Sequence, residues 1–125
     1  MIYGVGIDII KINRVRKILE KYGIRFRERL FTPAEDDYCM KKTRPYIHFA
    51  TRFAAKEAFA KATGHGIRNG ITWKDIEVLN EQSGKPVLNL YGPSADLCAS
   101  LGIRQKLISI SHEEDYGIAM VILEA

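Results

Sequence analysis

No stretch of this chain approaches the roughly 20 consecutive apolar residues that a helical membrane span needs, and nothing in it is repeated or low in complexity. Its two cysteines, Cys39 and Cys98, lie far apart, fit no metal-binding or redox spacing and supply no disulfide framework. The opening Met1-Ile2-Tyr3-Gly4-Val5-Gly6-Ile7-Asp8 lacks a basic region ahead of its apolar run, and Asp8 interrupts that run, so a signal peptide is not expected. These absences exclude disulfide scaffolds, membrane spans and repeat arrays, and they favour the cytoplasm. What is present, 125 residues at 46% hydrophobic and 27% charged, describes one soluble globular domain. Such a domain holds a real core but is short for an enzyme that must enclose a large ligand; a site shared between subunits is one remedy.

Charge is unevenly spread. Residues 11 to 29 carry Lys11, Arg14, Arg16, Lys17, Lys21, Arg25, Arg27 and Arg29 against Glu20 and Glu28, a local surplus of +6 in a chain whose net charge is +4. The remainder is therefore slightly acidic, and the basic character is a patch suited to an acidic partner.

The central string runs from Tyr46 to Ala62, YIHFATRFAAKEAFAKA. Nearly all its residues are strong helix formers, Pro45 stands where a first helical turn tolerates it, and Gly64 stands where a left-handed C-cap is usual. One helix of roughly 25 Å is expected. At 100° per residue, Phe49, Phe53 and Ala60 occupy one side while Ala55, Ala58, Phe59 and Ala62 fill the others. No broad polar face remains, so the helix should be central. Glu57 and Lys61 sit four apart in the favourable order, and the simplest reading is an ion pair worth a few tenths of a kcal/mol. On a helix with so few exposed faces the two charges also suit a metal ion or a phosphate.

Before this helix, residues 2 to 10 alternate as a strand with Tyr3, Val5, Ile7 and Ile9 on one side and Gly4, Gly6 and Asp8 on the other. The second side is nearly bare and admits a helix or a ligand at close range, with Asp8 either a helix cap or a site residue. Residues 11 to 22 form an amphipathic helix ended by Gly23, and Thr32-Pro33-Ala34-Glu35 is a capping box opening a short helix to about Lys42. After the central helix, the loop Gly64 to Gly70, with Arg68, reads equally as a phosphate cradle or as a C-cap and turn. A strand within residues 73 to 80, the turn Ser83-Gly84-Lys85-Pro86 and the strand 87 to 91 make a hairpin. A helix from Pro93 to Leu101 follows, then strands 106 to 111 and 117 to 123 around the acidic turn Glu113-Glu114-Asp115. His112 stands at the mouth of that hairpin. The fold class is α+β, a mostly antiparallel sheet with the long central helix and its companions packed on it.

Four pieces in this order resemble one family: Gly6-Ile7-Asp8, the string Arg52 to Ala62, Gly84-Lys85-Pro86, and Ser109-Ile110-Ser111-His112. Over almost its whole length the chain is similar to the holo-acyl-carrier-protein synthases, the short single-domain 4′-phosphopantetheinyl transferases. The resemblance implies transfer of 4′-phosphopantetheine from coenzyme A to a serine of apo acyl carrier protein, releasing adenosine 3′,5′-bisphosphate, in the service of fatty acid biosynthesis. It implies Mg²⁺, and a homotrimer with intersubunit active sites.

By that resemblance Asp8 and Glu57 are the metal carboxylates and, with Lys61, the catalytic set. Coenzyme A is expected to meet Arg52, Lys61, Gly64, Lys85, Pro86 and His112, with Arg52 and His112 near the 3′-phosphate and across a subunit boundary from Asp8. The base for the serine proton stays open between Glu57 and a metal-bound water. Acyl carrier proteins are acidic around the modified serine, and Arg14, Lys21 and Arg25 are the expected docking residues. A small nucleic-acid-binding domain is the alternative from another class; it uses the same basic segment, but leaves Asp8, Glu57 and Lys61 unexplained, and no nucleic acid or membrane is expected as a partner.

Overall fold

The computed structural model describes residues 1–67 and 70–125. It begins with strand β1 (Ile2–Lys11), which runs antiparallel to β5 (Tyr116–Glu124); β5 also pairs with β4 (Gln105–His112), giving a three-stranded sheet in the order β1-β5-β4. Register sets Asp8 opposite Ala119 and Ile10 opposite Gly117. The hairpin strands β2 (Ile76–Asn80) and β3 (Pro86–Leu90) form a second, separate two-stranded sheet.

Against one face of the larger sheet lies α4 (Pro45–Thr63), the expected central helix, with Pro45 in its first turn and Gly64 closing it at φ 78°. It packs closely because both surfaces are stripped of bulk. Ala54, Ala55 and Ala58 are fully buried, and a Cβ added to Gly6 would stand 1.8 Å from the Ala58 carbonyl oxygen. At Gly4 it would stand 2.0 Å from that of Ala62. The bare side of β1 therefore receives a helix.

The chain reaches α4 through α1 (Ile12–Tyr22), α2 (Ile24–Leu30) and α3 (Pro33–Met40). In α3 the Thr32–Glu35 capping box is complete. Helix α2 was not expected from the sequence, which shows there only a continuation of positive charge. Seven residues are too few to display a helical period or to hold a helix alone. Tertiary packing supplies the stability: Leu30 is buried, and Phe26 meets Phe31 edge-on at 5.9 Å, which in turn meets Phe49 at 4.9 Å. A single 3-10 turn, Trp73–Asp75, leads into β2, and α5 (Gly92–Ser100) joins β3 to β4. Phe49, Phe59, Val121 and Leu123 fill the core between α4 and the sheet.

The other face of β1 remains open. Tyr3, Val5, Ile7 and Ile9, the apolar members of the alternation, are 42%, 53%, 54% and 62% exposed. Among the described residues, no helix is long and apolar enough to cross a membrane.

Candidate active site

Asp8 lies on the side of β1 that faces α4, and this brings it to Lys61. The Lys61 ammonium donates to Asp8 Oδ1 and to the Ile7 carbonyl, both at 3.0 Å. Lys61 thus bridges helix to strand instead of pairing along the helix with Glu57. The two carboxylates feel each other: partial burial, then the charge of Asp8, holds the Glu57 carboxyl above the ordinary glutamate range, with Lys61 pulling it down. Two like charges drawn together around one ammonium, on rigid elements, favour an additional cation or a phosphate as their neighbour.

A cavity of about 400 Å³ opens beside them, lined by Glu57, Ala60, Lys61, Gly64, Gly66, Ile67 and Trp73. Gly64 thus joins Glu57 and Lys61, as the C-cap that turns the chain away from the helix. Arg68 of the expected glycine loop lies outside the described residues.

The other expected ligand contacts lie elsewhere. Lys85 ends the β2–β3 turn, its carbonyl accepting from the Glu81 amide at 2.8 Å, and Pro86 opens β3 opposite Asn80. His112 ends β4 and lines a second cavity, about 780 Å³, together with Arg16, Arg44, Tyr46 and the acidic turn 113–115. Arg52 does not line that cavity. It is 2% exposed; its Nε donates to the Val78 carbonyl at 3.1 Å, a terminal nitrogen donates to Asn80 Oδ1, and the guanidinium carbon stands 4.2 Å over the Tyr38 ring. Its charge is consumed in tying α4 to β2 and α3. Two arginines accompany His112 there: Arg16, paired with Glu20 at 3.1 Å, and Arg44, at the N-cap of α4. Arg14, Lys21 and Arg25 are exposed on α1 and α2, whereas Arg27 is tied down by Asp36 at 2.7 Å.

Two buried acid groups escaped the sequence reading. Glu35 is fully buried and pairs with Lys56, also fully buried, at 2.7 Å. Glu77, 6% exposed, accepts from the Thr32 hydroxyl, the Tyr91 hydroxyl and the Asn89 amide. The capping box gave Glu35 a sufficient local reason and hid its second role. A usable signal lay in Lys56, a charge on a helix already judged to have no polar face.

The fold is that of a class of transferases: residues 4–121 match the model of the 4′-phosphopantetheinyl transferase superfamily. A holo-[acyl-carrier-protein] synthase of Geobacter sulfurreducens is 48% identical over 124 residues, which is 99% of this chain and 98% of that protein. The crystal structure of the holo-[acyl-carrier-protein] synthase of Neisseria meningitidis superposes with a TM-score of 0.91 at 39% identity, with each chain covered completely. That of Helicobacter pylori, in complex with coenzyme A, superposes at 0.84 with 31% identity over 96% of this chain and 99% of its own. The chain belongs to the 4′-phosphopantetheinyl transferase superfamily. Its activity is that of its full-length relatives, transfer of 4′-phosphopantetheine from coenzyme A to apo acyl carrier protein.

Proposed function

We propose that the transfer takes place at the cavity beside Glu57, with Asp8 and Glu57 as the ligands for Mg²⁺ and Lys61 as the cation that meets the coenzyme A phosphates. The observation that carries this is that Glu57 and Lys61 line one opening while Lys61 reaches across to Asp8 on a strand far away in sequence, whose charge also acts on Glu57. The donor set fits the ion. Both ligands are hard oxygen donors, and among the described residues no group of three or more His, Cys, Asp or Glu could hold a metal. Mg²⁺ is commonly held by one or two carboxylates with phosphate oxygens and water.

In the reaction the carrier's serine oxygen attacks the β-phosphorus of coenzyme A and gives its proton to a base, Glu57 or water; a P–O bond forms, and the P–O bond to adenosine 3′,5′-bisphosphate breaks with its electron pair leaving on that phosphate. Negative charge grows on the departing phosphate. When bound, Mg²⁺ supplies fixed positive charge on the phosphoryl oxygens. Lys61, pre-positioned by Asp8 and the Ile7 carbonyl, offsets charge on the leaving group. Gly64 lets the backbone approach the pyrophosphate at the end of α4. We assign Arg52 to the fold and give its expected place near the 3′-phosphate to Arg44, beside His112. Ile47 on that cavity stands ten residues from Glu57, roughly 15 Å along α4, and Lys85 and Pro86 line neither cavity. One chain does not gather these groups into one small pocket, which favours a homotrimer whose sites combine residues of neighbouring copies. The apolar outer face of β1 is the surface such an assembly would cover.

The basic face of α1 and α2 suits an acidic carrier. Arg14, Lys21 and Arg25 are exposed for it, and their attraction weakens with salt over a Debye length of about 10 Å at 0.1 M. The setting is cytoplasmic fatty acid biosynthesis.

The test is incubation with apo carrier and coenzyme A, with and without Mg²⁺, the carrier being weighed by intact mass spectrometry. The expected result is a gain of one phosphopantetheine only with metal, and a turnover about 100-fold lower in Glu57→Gln at little change in melting temperature. Transfer that survives chelation overturns the metal assignment; unchanged turnover in the variant removes Glu57 from the site.

A further inference from the structure

Helix α4 carries a second lysine that the transfer chemistry leaves unused. The Lys56 ammonium donates to Glu35 Oε1 at 2.7 Å, to the Leu30 carbonyl at 2.7 Å and to the Trp73 carbonyl at 2.9 Å. Three donors meet three acceptors, with both charged side chains fully buried. Glu35 is held at both oxygens in turn: Oε1 also accepts from the Thr32 amide at 2.9 Å, and Oε2 accepts from the Val78 amide at 2.9 Å. One ammonium therefore joins the end of α2, the start of α3, the turn before β2 and the helix that bears Glu57.

A buried ion pair is weak as a source of stability, since apolar residues of the same volume often do as well. What it supplies is a fixed geometry, and here the geometry reaches the site. Trp73, whose carbonyl Lys56 holds, is part of the cavity wall with Glu57 and Lys61, and its ring packs on Phe53 of α4 at 5.2 Å. Leu30, whose carbonyl it also holds, ends the helix that carries Arg25.

We propose that Lys56 is a positioning residue for the transfer: it clamps the Trp73 segment and the end of α2 onto α4 and so sets the wall of the cavity that Glu57 and Lys61 share. It touches no substrate. The proposal rests on that cavity being the place of transfer.

Trp73 is the sole tryptophan of the chain, so its emission reports on this wall independently of turnover. The variants are Lys56→Met and Glu35→Gln, assayed well below their measured melting temperatures at saturating coenzyme A and carrier. The expected result is a kcat lower by about 100-fold, the cost of an ångström-scale misplacement, with KM for coenzyme A little changed and the Trp73 emission shifted before substrate is added. Folded variants with wild-type kcat and wild-type emission overturn the proposal, whatever their melting temperatures. If Lys56→Met does not fold, Glu35→Gln decides; failure of both to fold assigns the pair a purely structural role and also overturns it. Absence of transfer in the wild-type protein would instead sink the reading of the cavity, and the emission shift would still decide what Lys56 holds.

Discussion

At the scale of single residues, the chain separates charges by what surrounds them. Lys61 and Lys56 lie on one helix within two turns, yet Lys61 is half exposed and faces a carboxylate and a cavity, while Lys56 is sealed. Burial pushes the Lys56 ammonium below the ordinary lysine range, with Glu35 opposing that shift. Glu77 shows the reverse balance for an acid. Burial raises its pKa, but hydrogen bonds from Thr32, Tyr91 and Asn89 outweigh burial, and the carboxyl is held below the ordinary glutamate range. A carboxyl depressed in the folded state adds stability above its unfolded pKa, and that stability is lost as pH falls through the folded value. Glu77→Gln is therefore expected to be less stable than the wild type at neutral pH, by about 1 kcal/mol. The gap should close as the medium is acidified below the ordinary glutamate range. Denaturant melts at a series of pH values check this; a gap that stays constant across the acid range would mean that the charge of Glu77 contributes nothing.

At the scale of elements, local rules carried most of the reading. The 19 residues of α4 show their helix former by former, with Pro45 and Gly64 marking its ends, and Asp8, Glu57 and Lys61 were legible because they are charges where apolar or bare surfaces surround them. Helix α2 was not legible, since its seven residues have no period to show. Nor was the division into two sheets: strand alternation says which residues share a face, not which strands share a ladder. The setting of Arg52 was not legible for a related reason. An arginine in a helical string carries no mark of whether its guanidinium will meet a ligand or the carbonyls of β2. The β1–α4 contact is where element and sequence agree most tightly, and it yields a sharp expectation. Gly6→Ala places a methyl group inside the backbone of α4, where neither strand nor helix has a flexible side chain to move. The helix must retreat, carrying Glu57 and Lys61 away from Asp8. Stability should fall by about 3 kcal/mol or more, and transfer should fall even at temperatures where the variant is folded. A variant as stable and active as the wild type would show that β1 and α4 are less tightly apposed than this.

At the scale of the whole molecule, the open question is why an edge strand shows four large apolar side chains to water. An edge strand of this kind is an association hazard that monomeric proteins blunt with lysine or proline. Here the face extends across the sheet, because register places Val5 beside Ile122 and Ile122 beside Leu107. The proposed assembly would cover this face. Val5 tests this without disturbing the chemistry. It is 53% exposed, points away from α4, and lies three residues before Asp8. In an isolated chain Val5→Lys costs little, since the side chain is already in water and edge strands tolerate lysine. In an assembly it removes the burial of an apolar side chain, roughly 2 kcal/mol per copy, and adds a charge that must be desolvated. Sedimentation equilibrium should show the wild type as a trimer and the variant at lower mass, with the circular dichroism spectrum retained. Transfer should be lost together with the assembly, because the variant keeps Asp8, Glu57 and Lys61 but no neighbour to complete them. A variant that remains trimeric would move the interface off this face, and a monomeric variant that retains full turnover would make the site complete within one chain.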